Sequence, residues 1–235
     1  MLNSDGKRFV DEGVDLRNFT YAKFGREILK QPNAFAFQVW DADGEKWLRS
    51  EEYGDDVTVK IRADTIEDLA SKLVEKQGLL DREAFIDTLK GYNEGVQSFK
   101  DKNGNLKFDP SIKDGIATLG VLPPKTNWAL PIIKGPFIAV KVVCGVTFTF
   151  GGLAVNPDTA AVVSNSTNKD VPGLFAAGEI VGGAFYGNYP GGSGLTIGAI
   201  LGRKAGKTAA MLAQKTESRK TNLSAQYTPD LKSHL

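Results

Sequence analysis

The chain has 235 residues, 41% of them apolar, with 29 Lys+Arg against 28 Asp+Glu for a formal net charge of +1. That length can bury a proper core in one large or two small domains, and near-neutrality argues against nucleic-acid binding or a polybasic membrane contact. No stretch approaches the ~18 consecutive apolar residues of a spanning helix, so no membrane span is expected.

In chain order, Met1 to Arg8 is polar and has no secretory pattern, which points to a cytoplasmic protein. Ala34–Trp40 reads as a strand, followed by a turn at Asp41-Ala42-Asp43-Gly44. Val57–Arg62 alternates as a second short strand. Asp64 or Thr65 caps a helix with Leu69 and Leu73 four residues apart. Asp81 opens another helix, with Phe85, Leu89 and Tyr92 on one face and an expected end near Gly95. Asp101–Asn105 reads as a loop, and Pro123-Pro124 precludes a continuous helix. Trp40, Trp47 and Trp128 read as core or interface aromatics of a small mixed α/β module.

The single cysteine, Cys144, excludes an internal disulfide framework and a multi-cysteine metal centre, and no metal is expected. In its apolar run it reads as a small buried hydrophobe. The one histidine, His234, is penultimate in a polar stretch, so no imidazole catalysis is expected. Beyond Lys215 the composition predicts a frayed tail.

Many of the chain's 26 glycines crowd the segment after about residue 140. Gly suits a backbone that needs positive φ or must admit another backbone or a ligand. Gly173–Gly178 reads as a short buried apolar strand ending on Gly178, with Glu179 presented where the strand leaves its sheet. Ligands of open α/β sheets gather at such ends, where a carboxylate accepts hydrogen bonds from sugar hydroxyls. Gly191-Gly192-Ser193-Gly194 then leads into a helix beginning at Leu195-Thr196. Gly198, Gly202 and Gly206 form a small face that predicts close packing on a sheet. The start of that helix offers free N–H groups and the positive dipole end to an electron-rich group.

These segments carry a resemblance. Val171–Gly183 resembles the "PGL-x-AAGE-x-x-GG" segment of the fumarate reductase/succinate dehydrogenase flavoprotein superfamily, and Asn188–Thr196 its following "N-R-L-G-G-N-A-L-T" segment. Gly145–Gly152 is similar to its "H-x-T-M-G-G" strand-turn, and Gly6–Glu12 to its "GERF" segment. The Tyr189-Pro190-Gly191-Gly192-Ser193-Gly194 variant is closest to the tricarballylate dehydrogenase-like and 3-ketosteroid dehydrogenase branches.

The resemblance implies an FAD enzyme that moves hydride between flavin N5 and a carbon beside a carbonyl or carboxylate. The flavin would be held by Gly178, Glu179, Gly192, Ser193, Gly194, Leu195 and Thr196, with a small-molecule carboxylate or ketone as substrate. Arg17 matches the family's proton donor by position, with slightly different spacing. Thr147 stands where the family has a substrate-binding histidine and Tyr189 where it has an arginine, which argues against simple fumarate reduction. In the ketosteroid branch the tyrosine polarises a substrate carbonyl, the role expected of Tyr189. Thr147, Phe148 and Gly191 are the expected substrate contacts.

The implied fold is α/β (α+β): the C-terminal part of a FAD-binding Rossmann-like domain plus a small mixed α/β capping domain. The expected bounds are 1–19 and 136–214 for FAD-binding segments, 20–135 for the cap and 215–235 for a flexible tail. No G-x-G-x-x-G loop is present, so an N-terminal half or a partner chain is expected to carry it. Two alternatives stay open: a non-catalytic fragment or half of a split flavoprotein that binds no FAD alone, and a cofactor-free carbohydrate- or peptide-binding domain. The clustered glycines speak against the last.

Overall fold

The computed structural model describes residues 1–226 and is mixed α/β throughout. It divides the chain into two compact units, Met1–Gly145 and Val146–Leu235. Among the described residues no helix is long and apolar enough to cross a membrane. His234 lies outside them.

In the first unit an antiparallel sheet runs in the order β1 (Phe35–Trp40), β3 (Phe137–Val143), β2 (Lys60–Ala63). β3 is the shared strand: Ala139 faces Val39 on one side and Ile61 on the other. Helices α1 (Arg17–Leu29), α2 (Ser50–Tyr53), α3 (Ile66–Gln77) and α4 (Arg82–Asn103) complete the unit. Phe37, Leu69, Leu73, Phe85 and Leu89 join Ala139 in one buried cluster, where each large side chain contributes about 1.5–3 kcal/mol. The expected domain bounds do not coincide with this unit. Leu2 exchanges two backbone hydrogen bonds with Phe37 (2.9 and 2.7 Å), and the whole of β3 is sheet interior.

The helix starts follow local side-chain chemistry. Thr65 Oγ1 accepts from the Asp68 N–H at 3.1 Å, and Asp81 Oδ1 from the Ala84 N–H at 2.9 Å. Each capping bond satisfies an amide that has no partner inside its helix. The expected end of α4 near Gly95 is wrong. Gly95 is buried in mid-helix, its carbonyl accepting from the Leu119 N–H at 3.0 Å, and the helix runs to Asn103 with Gly104 as its cap. Gly95 is small because a chain segment crosses it: a Cβ there would meet the Val121 side chain and lie 2.9 Å from the Leu119 carbonyl oxygen. Trp40 and Trp128 are half-buried and Trp47 is exposed, so none of the three is a core residue. Cys144 is half-buried rather than buried.

Beside the sheet, Arg8 is held by the carbonyls of Pro123, Val10 and Pro124 and by Glu12 Oε2 at 2.6 Å. Glu12 Oε1 also pairs with the Met1 ammonium. Burial pushes the Glu12 carboxyl up, but the Met1 ammonium, Arg8 and Lys125 outweigh that and hold it at about 2, below its ordinary 4.5.

The second unit has a smaller core. β4 (Ala161–Val163) pairs antiparallel with β5 (Asp170–Phe175). Val162, Ala176 and Val181 are buried, with Val155 and Leu201 against them. Leu201 belongs to α5 (Ser193–Gln226), which is thus helical well past Lys215, where a tail was expected. β5 overlaps the expected strand but ends at Phe175, before Gly178, and is mostly exposed, not buried: among the described residues it pairs with β4 alone, and Leu174 is 50% exposed. The close packing expected of the glycine face of α5 is not seen: among the described residues nothing lies within 4 Å of a Cβ added at Gly198, Gly202 or Gly206.

Two consequences are measurable. Gly95→Ala should cost roughly 1–3 kcal/mol by overpacking, whereas Gly91→Ala, where an added Cβ meets nothing, should gain up to about 1 kcal/mol of helix propensity; urea midpoints of the two variants check the contrast. A folded-state carboxyl held below its unfolded value stabilises fully above about pH 4.5, and that contribution is lost as pH falls toward about 2. Glu12→Gln should therefore narrow its stability deficit against wild type by about 2 kcal/mol between pH 6 and pH 3, read from denaturant melts at those two pH values.

Candidate functional site

The chain leaves β5 through buried Ala176 and turns at Gly178, whose φ of +82° is a conformation that favours glycine. Its carbonyl accepts from the Val181 N–H at 3.1 Å. Leu153 then bridges to Val181, with bonds of 2.8 Å to the Ile180 carbonyl and 3.1 Å from the Gly182 N–H. Glu179 follows Gly178 directly, and its Oε1 accepts from the Thr149 N–H at 2.9 Å. One carboxylate oxygen thus pins the loop carrying Thr147 and Phe148. That is a positioning role beside the sugar contact expected of this carboxylate.

Across this turn stands the start of α5. Its first four amides need partners from outside the helix. Ser193 N–H donates to the Pro190 carbonyl (3.0 Å), Gly194 N–H to the Tyr189 phenol oxygen (2.7 Å) and Thr196 N–H to the Gly192 carbonyl (3.1 Å). Among the described residues only the Leu195 N–H of the four has no partner, and Leu195 is 84% exposed. The Ser193 and Thr196 hydroxyls donate to the same turn, to the carbonyls of Pro190 (2.6 Å) and Gly192 (3.0 Å).

Tyr189 is fixed by rings as well as by its oxygen. Phe148 stacks on it, centroids 3.8 Å apart and planes within 6°, while Phe185 meets it edge-on at 4.9 Å. Phe150 in turn packs edge-on against Phe185 at 5.6 Å. Such pairs contribute about 0.5–1.5 kcal/mol each beyond area burial. Phe150 and Phe185 were not anticipated. The alternation Phe148-Thr149-Phe150 beside a glycine turn was the signal available for one of them.

Phe148, Gly178, Glu179, Tyr189 and Gly194 come together around a cavity of about 30 Å³. That is water-sized, and a three-ring cofactor does not enter it. What the second unit presents is an open face. A Cβ added at Gly178, Gly183 or Gly192 would meet nothing within 4 Å, and Gly191, Gly192 and Leu195 are exposed. A flat group can therefore lie directly on this backbone, beside the one free helix-start amide. The residues fit the ring of a flavin on that open side.

Thr147 and Gly191 are exposed and do not line the small cavity. Arg17 belongs to the first unit, at the first turn of α1, where its guanidinium pairs with Glu52 at 3.0 Å. That exposed pair contributes little to stability.

Comparison with known proteins agrees with this geometry. Residues 1–195 match the family described as FAD binding domain. The chain is 32% identical over 210 residues to a probable fumarate reductase, Ifc3, of Shewanella frigidimarina (strain NCIMB 400), covering 89% of this chain and 30% of that protein. It is 27% identical to the 4-oxocyclohex-2-ene-1-carboxylate 5-dehydrogenase of Sinomonas cyclohexanicum, covering 92% of this chain and 37% of that one. The open conformation of a flavocytochrome c3 fumarate reductase superposes with a TM-score of 0.62 at 31% identity, over 90% of this chain and 32% of the other. The chain thus spans about a third of the length of these relatives. On the family match and on a backbone open to a flat cofactor, it belongs to the FAD-binding domain family of fumarate reductase-type flavoproteins.

Proposed function

We propose that this chain is part of a FAD-dependent oxidoreductase that acts on a carbon–carbon bond beside a carbonyl or carboxylate. The observation that carries the reading is the Tyr189 phenol, seated on the Gly194 amide and covered on one face by Phe148 at the edge of an open glycine backbone. Bound FAD would supply the hydride chemistry. Gly178 and Gly192 let the backbone reach the ring, and the Leu195 N–H, at the positive end of α5, favours the negative charge of the reduced cofactor. Ser193, Gly194 and Thr196 hold that helix start in shape, and Glu179 holds the opposing loop.

In this reading Tyr189 donates a hydrogen bond to the substrate oxygen on which charge develops. Its ring orientation is set by Phe148 and Phe185, so the donor is pre-organised. Thr147, Phe148 and Gly191 contact the substrate, and Arg17 serves as proton donor or carboxylate clamp once released from Glu52. The relatives' names pair a carboxylate substrate with a ring ketone, and a substrate bearing either group suits these donors. The capping role is assigned to residues 20–135 within the first unit, whose sheet also takes in Leu2 and β3, and a segment or partner chain bearing G-x-G-x-x-G completes the flavin site. A cytoplasmic location belongs to the same proposal, resting on a chain with a single cysteine and hence no internal disulfide.

The 30 Å³ cavity favours a second reading in one respect, a split flavoprotein half that holds no FAD alone. Expression with and without the dinucleotide-binding segment of the Shewanella relative separates them. Yellow protein absorbing near ~450 nm only from the pair supports a divided site; a colourless preparation in both cases defeats the flavin reading. In the flavin-loaded pair, Tyr189→Phe should keep the absorbance and lower kcat/KM by about 10²-fold. Unchanged turnover would remove Tyr189 from the chemistry.

A further inference from the structure

The first unit contains a cavity of about 290 Å³ that none of the foregoing uses. Its size is at the small end of ligand pockets, which run to about 300–1,000 Å³. Trp40, Trp47, Trp128, Phe108 and Tyr92 supply five aromatic rings to its walls. Those walls are braced. Trp47 packs edge-on against Phe108 at 5.1 Å, and Trp40 against Tyr53 at 5.4 Å. The Trp128 indole N–H donates to the carbonyls of Asp109 (2.9 Å) and Ile112 (2.8 Å). Trp128 also has a φ of +55°, which is an outlier for a bulky side chain. It persists because the Trp128 N–H is held by Asp114 Oδ1 at 2.9 Å as well. Strain maintained in this way marks a position where the placement of a side chain matters.

The charges around the cavity do not cancel locally. Glu12 is engaged by Arg8 at 2.6 Å and by the Met1 ammonium. Asp41 accepts four backbone N–H bonds, from Asp43 (3.1 Å), Gly44 (2.8 Å), Ile133 (3.2 Å) and Lys134 (3.3 Å). Arg8 is engaged by Glu12 and three carbonyls. Lys125 alone among these groups has a charged head with no hydrogen bond or ion pair among the described residues, although it is only half-exposed and lines the cavity. Loss of solvation holds its pKa below the ordinary lysine value, against the opposing fields of Glu12, Asp11 and Asp114. A desolvated cation of this kind gains most from an anion.

We propose that this cavity is a binding site for a small ring-bearing carboxylate, its ring lying between the tryptophans and its carboxylate on Lys125. Aromatic walls favour a flat ring, and a single point charge favours one carboxylate over a larger polyanion. The assignment does not rest on the flavin reading, because every residue it uses lies in the first unit.

The protein carries its own reporter, since its three tryptophans all line this cavity. Benzoate titrated into the full chain should change the tryptophan emission saturably, and neutral benzamide should bind about ten- to a hundredfold more weakly. Lys125→Gln, checked for folding by far-UV circular dichroism, should weaken benzoate by a similar factor and leave benzamide unaffected. Equal affinity for the two ligands on the wild type, or no saturable change up to about 10 mM benzoate (a Kd range of weak ligands), would overturn the proposal. The ligand comparison on wild type decides the matter even if the variant fails to fold.

Discussion

The hydrogen bond from the Gly194 amide to the Tyr189 phenol is the contact on which the functional face depends. A helix start demands acceptors, and here a side chain just before the helix provides one. Placing the phenol there also places its ring, which Phe148 covers and Phe185 abuts. Phe148 is held in its turn by a loop that Glu179 ties to the turn after β5. One carboxylate, one phenol and two phenylalanines thus set the spacing between the two sides of the open face. Without them the glycines of this segment would have no reason to keep one conformation.

The first unit follows a different logic. β3 supplies hydrogen bonds to both neighbours, and the faces of α3 and α4 close over the resulting sheet. Gly95 lets the segment around Leu119 lie across α4, and the segment that continues from there carries Lys125 and Trp128. The tight packing of the core therefore leads directly to the looser, aromatic-walled cavity beside it. Structure and binding capacity arise from the same chain crossing.

Much of this was legible in the residues. The caps at Thr65 and Asp81, the Leu69–Leu73 spacing and the strand at Phe35–Trp40 each rest on chemistry within a few positions, so local reading finds them. Glycine was the recurrent difficulty. The same residue type ends a helix at Gly104, admits a crossing segment at Gly95 and faces open space at Gly198, and only the tertiary surroundings distinguish these uses. The β5 run reads as buried because it is apolar, yet with a single strand partner among the described residues it stays exposed. At the site, the motif pointed to Tyr189 and Glu179 but not to what they bind within the chain: their partners, Gly194 and Thr149, follow from the fold alone. The aromatic walls of the first-unit cavity come from residues far apart in sequence, and no spacing rule connects Trp40 with Trp128.

The central claim is that a flavin lies against the start of α5, where the Leu195 N–H is free and the Gly194 N–H is already taken. Amide hydrogen exchange, resolved by residue on the flavin-completed protein with and without FAD, addresses it most directly. The account predicts that FAD slows exchange at Leu195 while Gly194 is protected in both states. A Leu195 amide that exchanges equally fast with the flavin bound would contradict it.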